Sequence, residues 1–141
     1  MKGFTLLELI IVIGITMVIG VTAVPFYSRF FTQNAVANTV DQLAAELRKA
    51  QMYSMTSKKT GQWGVAFNNS TITMFNGASY AARNTTFDEK FSVDSPVTIS
   101  GFTEVTFTHG TGTPSAVQSI TVLGNNNSRI ISVNALGVVN K

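Results

Sequence analysis

The feature that most constrains this chain is an apolar run close to its start, residues 4–24. The run contains one charged residue, Glu8, and all basic residues lie at its edges or beyond it. As an α-helix the run would span about 32 Å at about 1.5 Å per residue, close to the roughly 30 Å of a bilayer's hydrocarbon core. The sequence therefore predicts a transmembrane helix over these residues, with the remaining chain outside the membrane.

Three interpretations of this segment compete. In a removable signal peptide, Lys2 would supply the basic region and residues 21–23 the cleavage site, but the run is long for that purpose and Glu8 interrupts it. A plain transmembrane anchor explains the length and leaves Glu8 as a cost of roughly 2.5–3.5 kcal/mol at the helix centre, less near an end. In the third, cleavage after Gly3 frees the amine of Phe4, and a neighbouring subunit pairs that amine with Glu8. We favour the third, because it accounts for the glycine and the glutamate together.

The residues that carry this interpretation, Gly3-Phe4-Thr5-Leu6-Leu7-Glu8, resemble the cleavage motif of type IV prepilins and type II secretion pseudopilins. The resemblance implies that a prepilin peptidase cuts after Gly3 and methylates the new N-terminal Phe4, and that Glu8 guides assembly. It also implies a single-pass protein of the cytoplasmic (inner) membrane, with the C-terminal domain outside and a periplasmic or extracellular filament as the assembled form. Pro25 matches the position where helices of this family often carry a proline, a residue that bends a helix because it lacks an N–H.

The chain is long enough for one further domain beyond this segment. We expect a leader at residues 1–3, the transmembrane helix at 4–24, an amphipathic continuation at 25–60 and a β-rich globular domain at 61–141. The continuation carries apolar residues spaced three or four apart, which form one stripe: Val36, Val40, Leu43, Leu47 and Ala50. We expect the part from Val40 to Ala50 to pack on the domain's own sheet. The alternative is a helix–helix seam in a fibre, and both can hold at different heights. Lys58 and Lys59 suit the end of the helix, which Gly61 is expected to terminate.

From Gly61 onward the apolar period changes to two, which indicates strands. Turn signals at residues 68–70, 76–77, 124–127 and 135–137 separate six or seven short, mainly antiparallel strands. The prediction is an α+β fold, with a long N-terminal helix followed by an antiparallel β-sheet domain, as in pilins.

The C-terminal residues 107–139 resemble the ending of the pseudopilin H and minor pilin T group. The matching features are a loop with glycines, a strand, a turn, an apolar strand led by Arg129, and then Asn134 followed three residues later by Gly137. The position after Gly137 is Val138, where the group commonly has arginine. The resemblance implies a minor subunit of a type II secretion pseudopilus or type IV pilus. Its partners would be other pilin or pseudopilin subunits, the prepilin peptidase and an inner-membrane assembly platform.

DNA binding is the alternative function, because some minor pilins of this group bind DNA for uptake through basic residues near the C-terminal end. Arg129 and Lys141 are the candidates here, with Arg83 as a further one. The formal net charge is only +3 and no basic stripe is visible. We therefore favour the alternative in which Arg129 covers a strand edge or a loop carbonyl.

Catalytic and metal-binding patterns are lacking. The chain has no cysteine and one histidine, His109, which we expect at a loop edge and not as a metal ligand. Asp88, Glu89 and Asp94 do not have the spacing of a helix–loop–helix calcium site, and we expect them in a solvated loop. The stretch 78–94 is less regular, and a short strand near residues 87–93 is the alternative within it. We therefore predict a structural subunit that is not an enzyme and has no cofactor.

Overall fold

The computed structural model describes residues 3–59, 61–125 and 127–141, and the side chains of residues 22–26 are not described. In this part of the chain a long helix, α1 (Leu6–Met55), precedes eight strands. The strands are β1 (Trp63–Asn68), β2 (Thr71–Asn76), β3 (Asn84–Ser92), β4 (Val97–Ser100), β5 (Glu104–Phe107), β6 (Gln118–Gly124), β7 (Asn127–Val133) and β8 (Val139–Asn140). The chain divides into two compact units, Met1–Phe31 and Thr32–Lys141.

The transmembrane helix predicted over residues 4–24 is wrong. Within the residues that the structure describes, no helix combines the length and the apolar character needed to cross a membrane. The predicted single-pass location in the inner membrane is corrected for the same reason.

The second half of α1 packs on the sheets of the second unit. Every residue of the predicted stripe is buried: Val36, Val40, Leu43, Leu47 and Ala50. They belong to one apolar core together with residues of both sheets, such as Val65 and Ile131. The prediction that Val40 to Ala50 pack on the domain's own sheet is confirmed, and the spacing of three and four is what places these side chains on one helix face.

The helix ends earlier than predicted, at Met55, and no glycine terminates it. Ser57 adopts a left-handed conformation with φ of 54°. The Ser57 N–H donates to the Ser54 carbonyl at 3.4 Å, and the Lys58 N–H donates to the Tyr53 carbonyl at 3.0 Å. These two bonds form a Schellman motif, which satisfies carbonyls in the last turn. A serine at the position usually held by glycine gives no sequence signal, which is why Gly61 was the predicted end.

Two antiparallel sheets follow the helix. The first has the order β3-β2-β1-β5 and the second the order β4-β6-β7-β8. The hairpin predicted at residues 124–127 joins β6 to β7, where Gly124 pairs with Asn127. The turn predicted at residues 68–70 joins β1 to β2 through Asn69 and Ser70, whose φ values of 47° and 55° suit a two-residue hairpin.

The α+β class and the antiparallel pairing are therefore as predicted, although the predicted transmembrane helix is wrong.

One difference within the sheets concerns β3. Asp88 and Glu89 do not lie in a solvated loop but in this strand, which has nine residues and is longer than the short strand expected near residues 87–93. Ion pairs with Arg83 and Lys49 hold the two carboxylates there.

Candidate functional site

The predicted cleavage point lies in an accessible, non-helical segment. Gly3, Phe4 and Thr5 precede α1 and are all exposed, with Phe4 at 84% of its full accessible surface. An ideal Cβ placed on Gly3 would have no atom within 4 Å. The peptide bond between Gly3 and Phe4 is therefore open to an enzyme in this structure.

Thr5 caps the start of the helix, a role that the sequence analysis missed. The Glu8 N–H donates to Thr5 Oγ1 at 3.3 Å, and the Leu9 N–H donates to the Thr5 carbonyl at 3.2 Å. Thr5 is thus the N-cap and Glu8 the third helical residue, the spacing of a capping box. The signal was present, because a threonine followed three residues later by a glutamate before an apolar run marks a helix start.

Glu8 is exposed in the first turn of α1. The unpaired N–H groups at a helix start carry partial positive charge, which favours a carboxylate at this position. The side chain makes no ion pair with any residue that the structure describes. The carboxylate is therefore stabilised locally and still available to a partner outside the chain.

From Leu9 to Val21 the helix is apolar except for Thr16, whose hydroxyl donates to the Val12 carbonyl at 2.9 Å. Its exposed residues follow one another without a polar face: Leu9, Ile10, Ile11, Val12, Ile13, Ile15, Met17, Val18, Ile19 and Val21. A helix of this kind is normally covered all round, since an amphipathic surface helix would have a polar stripe. A continuous exposed patch of this extent marks an interaction surface.

Two residues of the predicted N-terminal site cannot be placed. Lys2, in the predicted leader, lies outside the described residues. Pro25 falls within the range of α1, but its side chain is among those not described. The helix kink at Pro25 remains a prediction.

Asn134 has a structural role in the C-terminal pattern of asparagine and glycine that resembles the ending of minor pilins. Its Oδ1 accepts hydrogen bonds from the N–H groups of Leu136 at 3.0 Å and Val138 at 2.9 Å. Gly137, with φ of 81°, closes the turn by donating its N–H to the Asn134 carbonyl at 2.9 Å. The pattern therefore specifies the predicted last turn.

The candidate DNA-binding residues are partly brought together. Arg129 and Lys141 line one cavity of about 340 Å³, together with Asp41 of α1. Lys141 forms an ion pair with Asp41. Arg83 lies elsewhere, where its Nε contacts both carboxylate oxygens of Asp88 at 3.1 and 3.0 Å. Arg129 alone of the three has no acidic partner among the described residues. One unpaired positive charge is little for binding a phosphate backbone.

The histidine and the acidic residues do not form a metal site in the described part of the chain. His109 is exposed in the turn after β5. Among the described residues, no three histidine, aspartate or glutamate side chains are grouped as metal ligands. Asp94 is exposed, away from the ion pairs that engage Asp88 and Glu89.

Glu46 is a buried carboxyl that sequence reasoning did not single out. It lies on the core side of α1 with only 4% of its surface exposed. Gln42 Nε2 donates to its Oε1 at 3.1 Å, whereas Oε2 has no partner among the described residues. Burial raises the pKa of Glu46, and the neighbouring Lys49 opposes that rise.

Comparisons with models of protein families, with curated proteins and with solved structures found no match to this chain. Its function is therefore inferred from the residues described above and their geometry.

Proposed function

We propose that this chain is a structural subunit, of the minor kind, in a type II secretion pseudopilus or a type IV pilus. It assembles through its N-terminal helix, after a prepilin peptidase has cut between Gly3 and Phe4. Its partners are other pilin or pseudopilin subunits and the platform that assembles them. The proposal assigns the chain no catalytic role and no cofactor.

The observation that carries the proposal is the exposed helical surface that follows Glu8. A residue such as Ile10 or Met17, left 60% or 67% exposed, gains free energy when another apolar surface covers it. A bundle of like helices covers such a helix on all sides, which a single docking partner on one face would not do. Filament assembly therefore suits a helix that lacks a polar face.

Glu8 gives the bundle its register. Cleavage after Gly3 creates a positively charged amine on Phe4, four residues before Glu8 in the same chain. In an apolar bundle an unpaired carboxylate is costly, and a neighbouring subunit's amine removes that cost by forming an ion pair. The exposed Glu8 and the exposed junction of Gly3 and Phe4 are both available for these roles.

The cleavage step is tested by mass spectrometry of the subunit isolated from the cells that make it. We expect an N-terminal peptide that begins with methylated Phe4. The variant Gly3→Ile, in which a branched side chain occupies the cleavage site, should retain the leader and stay out of filaments. An assembled subunit that still begins at Met1, or that is cut at a different bond, would refute the proposal.

A further inference from the structure

A cavity of about 320 Å³ lies beside the end of α1, on the side of the molecule formed by β1 and β3. Three aromatic rings line it, those of Tyr53, Trp63 and Phe87, and two lysines stand at its border, Lys58 and Lys59. The rings pack on one another, with the Tyr53 and Trp63 ring centroids 5.0 Å apart and those of Trp63 and Phe87 6.4 Å apart. The cavity thus has an aromatic wall and a positively charged border.

The two lysines rest on the rings and lack an acidic partner. Lys58 Nζ lies 3.7 Å from the centroid of the Tyr53 ring, and Lys59 Nζ lies 5.3 Å from that of Phe87. Neither ammonium group forms an ion pair with a carboxylate of the described residues. Cation–π contacts hold a charge in place without neutralising it, so two oriented positive charges remain available.

The acidic residues that line this cavity already form ion pairs with other basic residues. Asp88 pairs with Arg83 at 3.0 Å and lies 3.7 Å from Lys90, with only 4% of its side chain exposed. Glu89 pairs with Lys49 of α1. The uncompensated charge at the border is therefore positive, and it comes from Lys58 and Lys59.

The backbone that carries these lysines is fixed by several contacts. The Lys58 N–H donates to the Tyr53 carbonyl at 3.0 Å, and the Lys58 carbonyl accepts from Trp63 Nε1 at 2.8 Å. Lys59 has φ of 59°, a conformation that costs a non-glycine residue free energy and persists only where the surroundings impose it. A backbone held in this way loses little conformational entropy when an anionic partner binds.

We infer that this cavity, here called the lysine–aromatic cavity, is a docking site for an acidic peptide segment of a partner protein. Carboxylates of the segment pair with Lys58 and Lys59, and its backbone lies along β3, the edge strand of the first sheet. An edge strand has free N–H and C=O groups that an extended peptide can use. The inference does not depend on filament assembly.

A single-stranded nucleic acid fits this cavity less well than a peptide. Binding of that kind uses open aromatic faces on which bases stack. Trp63 is only 3% exposed, and Lys58 lies over the face of Tyr53. The rings therefore position the lysines and form the wall of the cavity.

The chain offers a direct probe of the cavity, because Trp63 is its single tryptophan. The experiment titrates the full chain with a hexaglutamate peptide, a hexalysine peptide and an oligothymidylate, and follows Trp63 fluorescence and, independently, heat by calorimetry. We expect saturable binding of hexaglutamate that weakens with added salt. The double variant Lys58→Gln/Lys59→Gln should bind about tenfold more weakly, since each exposed ion pair contributes modestly.

The matched control is Arg129→Gln/Lys141→Gln, which removes the same formal charge from β7 and from the residue after β8, and which should bind hexaglutamate as the parent chain does. Three results would overturn the inference. They are no saturable binding of hexaglutamate, equal weakening in both double variants, and tighter binding of oligothymidylate with the same dependence on Lys58 and Lys59. Peptidase cleavage and filament assembly are measured separately, so either proposal can fail without the other.

Discussion

Thr5 and Glu8 are joined across the first turn of α1 by a hydrogen bond of 3.3 Å, from the Glu8 N–H to Thr5 Oγ1. This contact gives Glu8 two properties that can be separated. Its position in the helix start depends on the cap, whereas its proposed role in assembly depends on its charge. A glutamine can occupy the same place in a capping box but carries no charge.

Glu8→Gln should therefore leave the helix start intact and prevent incorporation into filaments. Thr5→Ala should have the opposite effect, since losing the N-cap costs about 0.5–2 kcal/mol of helix stability but leaves the Glu8 charge in place. Hydrogen exchange at the amides of residues 6–9 reports the helix start, and the amount of subunit recovered in sheared filaments reports assembly. Normal incorporation of Glu8→Gln would show that the charge is not required.

The core contribution of α1 is tested at Leu47, which is fully buried between the helix and the sheets. Leu47→Ala should lower the free energy of unfolding by about 2–5 kcal/mol, because it removes buried methyl groups and leaves a cavity. Met52→Ala, at a half-exposed position in the same helix, is the control and should change stability far less. Urea denaturation of the two variants measures the difference, and equal effects would contradict the packing described here.

A substitution at Gly137 tests how closely the C-terminal turn is packed. A Cβ at this position would lie 2.6 Å from the Gly112 carbonyl oxygen and 2.3 Å from Gln51 Nε2, and φ is 81°. Gly137→Ala should therefore destabilise the fold by about 1–3 kcal/mol, from backbone strain together with the close approach. Gly110→Ala is a matched control, because Gly110 has the same φ of 81° but no atom within 4 Å of its Cβ position. If thermal unfolding shows the same loss for both, the close approach contributes nothing.

The sequence predicts those parts of the fold whose signal lies in neighbouring residues. Strand β1 follows from the alternation of Trp63, Val65 and Phe67 with smaller or polar residues, and the hairpin at residues 124–127 follows from its glycine and asparagines. The end of α1 does not follow, since Ser57 closes the Schellman motif without a glycine. The ion pair of Asp88 in β3 with Arg83, which directly precedes that strand, is not revealed by composition alone.

The candidate site likewise has features that neighbouring residues predict and features that only the packing reveals. Gly3, Phe4 and Glu8 are recognisable from their spacing, and the structure places them at the exposed start of a helix. The apolar run predicted a membrane span, and the described helices do not provide one. The lysine–aromatic cavity could not be predicted, because Lys58 and Phe87 are distant in sequence and only the packing of β3 beside α1 brings them together.

The buried carboxyl of Glu46 gives the free energy of unfolding a particular dependence on pH. Burial raises the pKa of Glu46 above its ordinary value, so between the ordinary and the raised value the folded chain holds a proton that the unfolded chain has released. The free energy of unfolding must therefore fall as the pH rises through that interval. Glu46→Gln should be more stable than the parent chain at neutral pH and should flatten this slope, because it keeps the contact with Gln42 and removes the buried charge.

The measurement for Glu46 is urea denaturation of both chains across the interval above the ordinary pKa of a glutamate. Asp94→Asn, at an exposed carboxylate, is the control and should retain the parent's slope. A Glu46→Gln variant that is less stable at neutral pH and keeps the slope would show that the buried charge is compensated.

The central claim, assembly through the N-terminal helix, is tested most directly by disulfide crosslinking, because the chain has no cysteine of its own. Leu7→Cys/Met17→Cys introduces two thiols at exposed positions of α1, and Ser119→Cys/Ser128→Cys places two on exposed positions of the second sheet as a comparison. Upon oxidation in the cells that make the protein, we expect the helix pair to give a ladder of multimers that disappears when Glu8→Gln is added. Monomers alone from the helix pair, or a ladder that persists unchanged with Glu8→Gln, would contradict the account.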